Sequence, residues 1–213
     1  LLLNNEQISE AITRLRSGLN NTVNPAINEL GFEIMKSSNG TITTNFVEGT
    51  CDGVNLESGG NIIGGIHFHT ENGTPFFSGQ DVIKLRDYFF FGSQTNTALS
   101  SSEIFSILLV KNGTTINTYA IVINDLSMLY YYANVVDGNR QGAGLDRLLQ
   151  FGYNNLQNGT NSTAYKQDFL RVISNPSISP EPPVSLFALN SDNTAFEKVV
   201  LDENGLPKSE PCQ

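Results

Sequence analysis

The chain has 213 residues, 39% of them apolar and 15% charged, and a formal net charge of −9. That length suits one domain of ordinary size, with a core large enough to stand without disulfide or metal staples. The acidic balance and the lack of a Lys/Arg cluster exclude a nucleic-acid-binding surface, which needs a basic stripe, and no apolar run approaches the ~20 residues of a transmembrane helix.

In chain order, residues 5–19 read as an amphipathic helix, with Ile8, Ala11, Ile12, Leu15 and Leu19 on one face. From Gly31 the period shortens to two. Phe32 to Met35 reads as a strand, Ser38-Asn39-Gly40 as a hairpin-type turn and Thr41 to Val47 as its partner strand. A Gly/Asn/Ser-rich loop (49–60) leads to a buried strand, Ile62 to His69. Gly64 and Gly65 inside it imply a close approach by another group. After a loop over 70–77, Ser78 reads as the N-cap of a helix from about Gln80 to Phe90. Ile104–Val110 and Ile116–Ile123 form a hairpin about Lys111-Asn112-Gly113. Helical patterns return near 125–134, 143–156 and 163–173, with Asp125 as a cap and Asp137 as a turn residue. Pro176, Pro180, Pro182 and Pro183 mark a linker before a last two-stranded ribbon, Val184–Leu189 and Phe196–Leu201.

The expected fold is therefore α/β: a mixed β-sheet with flanking helices over 1–124. A C-terminal extension, 125–213, packs on that domain or continues it. The runs Phe89-Phe90-Phe91 and Tyr130-Tyr131-Tyr132 read as core with partial surface. Cys51 and Cys212 form no C-x-x-C pair, which excludes a thiolate zinc site and leaves open one long-loop disulfide or two separate thiols. A start at Leu1 without Met reads as a processed or trimmed product. Scarce Lys beside abundant Asn, Ser and Thr leans towards an exported or cell-surface protein over a cytoplasmic one.

The chain holds two histidines, spaced as His67-Phe68-His69. On a strand that spacing turns both imidazoles to one face, as two ligands to a single metal require. Asp81 follows where the chain enters a helix. Two nitrogens and one carboxylate leave a fourth position for water, the pattern of a catalytic rather than a structural zinc site. Two other assignments compete: surface histidines on a strand edge, and Ser78 with Asp81 as a capping box only. Capping and metal binding are compatible.

The pattern His67-x-His69-Thr70, seven residues, then Ser78-x-x-Asp81 resembles the signature of the JAMM (JAB/MPN) metallopeptidases over residues 30–124. The resemblance implies a JAB/MPN-like fold with one zinc ion on His67, His69 and Asp81. It implies that Ser78 polarises the substrate carbonyl, that a glutamate from an upstream strand acts as general base, and that the substrate is a polypeptide or isopeptide. Glu33, at the start of the first strand, is the expected base, with Glu48 and Glu29 in reserve. A non-catalytic interaction module of the same fold and a metal-dependent amidase on a non-protein substrate are the competing functions.

Overall fold

The apolar stripe of the first segment closes against a sheet. Helix α1 (Glu6–Asn20) buries Ile8, Ala11, Ile12, Leu15 and Leu19, as its 3.6-residue period predicts. Its outer rim holds on through Arg14, whose guanidinium lies 5.2 Å from the Phe32 ring centroid and 5.3 Å from that of Phe46. Arg16 Nη2 also donates to Thr118 Oγ1 at 2.9 Å. The computed structural model describes residues 5–20, 28–50, 53–69, 75–155, 162–177 and 181–210.

The sheet contains β1 (Leu30–Lys36), β2 (Ile42–Glu48), β3 (Ile62–His69), β4 (Phe105–Asn112), β5 (Thr115–Ile123), β6 (Val184–Leu189), β7 (Phe196–Leu201) and β8 (Pro207–Glu210). They lie side by side in the order β2-β1-β3-β4-β5-β6-β7-β8, so the fold is α/β with a mixed eight-stranded sheet. The pair β3·β4 is parallel and the other neighbours are antiparallel. Parallel neighbours need a crossover long enough to return the chain. Helix α2 (Gly79–Thr95) supplies it.

Seven residues of β3 are buried and only His69 is half-buried, because the strand is covered on both faces. Its two glycines are there for packing. A Cβ on Gly64 would strike the Phe105 carbonyl, and one on Gly65 would strike Leu56 and lie 2.8 Å from the Tyr88 hydroxyl. Helix α2 thus seats Tyr88 directly on the His67 side of the sheet.

The C-terminal ribbon continues the domain: β6 pairs with β5 from Tyr119↔Ala188 to Ile123↔Val184, and β8 adds a third strand to the two expected. Val184, Leu186 and Val199 become buried by joining the large sheet. The pattern over 125–134 also breaks, into α3 (Leu126–Tyr131) and a wider π-type turn, Tyr132–Val136. Helices α4 (Ala143–Asn155) and α5 (Ser162–Ile173) lie near their expected places. Phe169 of α5 packs edge-on to Phe76, 5.5 Å between centroids, just ahead of α2. The aromatic runs divide as expected, with Tyr132 buried and Phe90, Phe91 and Tyr131 exposed. Among the described residues, no helix is long and apolar enough to cross a membrane.

Candidate metal centre

Strand alternation brings the two imidazoles to one face, with their Nε2 atoms 3.1 Å apart. Ser78 caps α2 in an extended conformation, and its hydroxyl accepts from the Asp81 backbone N–H at 3.1 Å. That capping box points the Asp81 carboxylate back over the end of β3. Asp81 Oδ1 lies 3.1 Å from His67 Nε2, and Oδ2 lies 3.8 Å from His69 Nε2. One donor atom from each of the three residues falls within 4.8 Å of the others. Ligands bonded to one tetrahedral zinc at about 2.0–2.1 Å stand about 3.3 Å from each other, so the widest pair of donors would close in to share an ion. Two imidazole nitrogens and a carboxylate are a donor set of the kind zinc takes.

The electrostatics show strong coupling among these groups. Burial works to raise the Asp81 pKa, but the facing histidines and the Ser78 hydrogen bond outweigh it and hold the carboxyl far below its usual range. Burial works to lower the pKa of His67, and Asp81, with a further contribution from Glu29, outweighs it and raises the value. The Asp81 carboxylate and the His67 ring thus face each other at 3.1 Å in a buried setting. The buried His67 Nδ1 has no hydrogen-bond partner among the described residues.

These residues open onto a cavity of about 200 Å³, whose walls include Glu29, Asn55, Lys84, Tyr88, Ser106, Asp146 and Gln150 beside His67, His69, Ser78 and Asp81. Glu29 and Glu33 are both buried, at 5% and 6% exposure, so burial does not distinguish them. Register does. Gly31 pairs with His67 and Glu33 with Gly65, which sets Glu33 about 7 Å along the sheet from His67, on the side away from His69. There Glu33 Oε1 accepts from the Glu57 N–H at 2.8 Å and Oε2 from Asn45 Nδ2 at 2.9 Å. Glu33 braces a loop and is not part of the cavity lining. Glu29, two residues beyond Gly31 in the other direction, lines the cavity and acts electrostatically on His67. Its backbone is pinned by Glu29 N–H to Thr50 O and Gly49 N–H to Glu29 O, both 2.8 Å. Glu48 is exposed on the edge strand β2 and is not in the lining.

The far wall comes from the C-terminal part of the chain, which the sequence reading left without a role at the site. Asp146 Oδ1 accepts from Gly79 N–H at 2.6 Å, and Tyr153 OH donates to the Phe77 carbonyl at 3.1 Å. Both bonds grip the start of α2, on either side of Ser78. The two backbones meet at glycines. A Cβ on Gly79 would lie 2.6 Å from Asp146 N, and one on Gly142 would strike Gln80 N. Beneath this contact, Asp137 is fully buried and its carboxylate takes N–H groups from Gly142, Gly144 and Leu145 at 3.0, 2.7 and 3.2 Å. It is more than a turn residue, since it caps α4 and shapes the loop before it.

No protein-family model and no curated protein sequence matches the chain. Thr70, Cys51 and Cys212, and with the cysteines the disulfide alternative, lie outside the described residues.

Proposed function

We propose that the protein is a zinc-dependent hydrolase of amide bonds, a peptidase or isopeptidase with a JAMM-type site on a JAB/MPN-like fold. The observation that carries the reading is the convergence of His67, His69 and Asp81 beside a cavity that also receives Glu29 and Ser78. His67 and His69, as neutral imidazoles, and Asp81, as the offsetting charge, would hold a zinc ion, which would supply Lewis acidity and make a water at the site more acidic. The role of general base passes from Glu33 to Glu29, the buried carboxylate in the lining. Glu29 takes the proton of the attacking water and returns it to the departing amine. The Ser78 hydroxyl turns its one proton from Asp81 Oδ2 to the carbonyl oxygen as negative charge develops there. Its placement at a helix start fixes the position of that oxygen before substrate arrives.

Metal analysis of the purified protein, wild type beside His67→Ala and Asp81→Ala, together with a cleavage panel of peptide and isopeptide amides, tests the reading. The expected result is about one zinc per chain in the wild type and none in either variant, with cleavage following zinc. Zinc bound without cleavage of any amide, peptide or non-peptide, would instead make this a non-catalytic metal module. Cleavage confined to non-peptide amides would move the substrate class.

A further inference from the structure

The cavity holds a cation that the hydrolytic scheme does not use. Lys84 follows Asp81 by three residues on α2, hence on the same helix face, and it lines the cavity with the three donors. Its side chain is half-buried. Among the described residues, ion pairs of Lys and Arg within 4.0 Å run from Lys36 to Glu103, Arg86 to Asp87, Arg171 to Asp168 and Lys208 to Glu210. Lys84 forms none, like Lys111, Lys166 and Lys198; what sets it apart is its place in the wall beside the three donors. Its ammonium lies 5.9 Å from the Tyr88 ring centroid, the outer limit of a cation–π contact. Tyr88 does not neutralise it, because burial and then the charges of Asp81 and Glu33 keep that phenol protonated. The carboxylates of the lining have other work: Asp81 faces the histidines, Asp146 accepts from Gly79, and Glu29 is the base under the scheme above.

We propose that Lys84 binds a carboxylate of the substrate close to the scissile amide, so that the site selects substrates carrying an anionic group there. The inference rests on the hydrolase reading for the words "scissile amide". The binding preference itself does not. A half-buried ammonium in a cavity of about 200 Å³ keeps some of its hydration only until a ligand fills the space. A ligand carboxylate then restores the lost hydrogen bonds and charge balance, whereas a neutral amide leaves the ammonium desolvated and unpaired. The carboxylate comes either from a C-terminal residue or from an acidic side chain, and the chemistry at Lys84 is the same.

Binding of uncleaved probes tests this on zinc-loaded Glu29→Gln protein, by calorimetry or NMR. The probes are N-acetyl-alanyl-alanine, its C-terminal amide, and N-acetyl-alanyl-aspartic acid α-amide. The free-carboxylate dipeptide should bind at least tenfold tighter than its amide. The ratio should fall below threefold with Lys84→Met added and survive Lys84→Arg. A preference for the aspartyl probe over the alanyl amide assigns the anion to a side chain instead of the terminus, and supports the proposal equally. Equal binding of all three probes overturns it, as does a preference that persists in Lys84→Met, which would put the carboxylate on the metal. Lys84-dependent preference in a protein that cleaves no amide would sink the hydrolase reading and leave the recognition site standing.

Discussion

Ser78 donates twice to a single oxygen of Asp81: its backbone N–H and its hydroxyl both reach Oδ2 at 2.7 Å, while Oδ1 stands 3.1 Å from His67 Nε2. The two oxygens of one carboxylate thus divide between a helix start and a histidine. The cap orients the proposed ligand.

Replacing Ser78 by Ala removes the hydroxyl but leaves the backbone donor to Asp81. Zinc should be retained at about one equivalent. Stability should fall by about 1 kcal/mol from the lost cap, and kcat by on the order of 10²-fold from the lost donor to the oxyanion. Denaturant melts beside kinetics on the same samples check both. Loss of zinc in this variant would show that the cap, and not the ligand set alone, holds the metal.

Glu29→Gln and Glu33→Gln separate the two buried carboxylates. The first should keep zinc and lose 10²- to 10⁴-fold in kcat, the range for a general base. The second should change kcat by less than about threefold while lowering stability by roughly 1–2 kcal/mol, since its partners are Glu57 N–H and Asn45. The reverse pattern would return the base to Glu33.

Asp137 makes acid stability sensitive to one carboxylate. Burial pushes its pKa up, but the N–H groups of Gly142, Gly144 and Leu145 outweigh that and hold it below the ordinary value of 3.8. A depressed folded pKa means that the contribution is complete above the unfolded value and is lost as pH falls through the folded one. Asp137→Asn should therefore be less stable than wild type at pH 7, by about 2–3 kcal/mol. The gap should narrow as pH drops below about 4. Urea melts across pH 2 to 7 measure it, and a gap independent of pH would refute the assignment.

Gly142 has φ of +96° and no room for a Cβ against Gln80. Gly142→Ala changes no proposed ligand, yet it should push α4 away from the start of α2 and weaken zinc binding at least tenfold. A metal-competition titration reads this directly. An unchanged zinc affinity would mean that α2 keeps its place without α4.

Much of this was legible from period and punctuation. The boundaries of β3 matched, because an apolar run ending in His-x-His has one sensible register for two ligands. The Ser78 cap matched because its chemistry is local. Which upstream glutamate lies beside the histidines was not legible, since Glu29, Gly31 and Glu33 share one face by alternation and nothing in that alternation says which is level with His67. Pairing with β3 sets that level, and the pairing shifts at Ile34/Met35. Strand β8 was invisible for another reason. Pro207-Lys208-Ser209-Glu210 buries almost nothing and is a strand by virtue of its hydrogen-bonded partner, β7. The wall built by Asp146 and Gln150 depends on where α4 lands, which no local pattern encodes.

The placement of α4 over the start of α2 has a consequence for the order of assembly. During synthesis the chain emerges N-terminal end first, so His67, His69 and Asp81 leave the ribosome before Ala143–Asn155 exists. Under the proposed reading, a nascent chain would meet zinc while still lacking one wall of its cavity, and cleavage would wait for the last third of the polypeptide to dock.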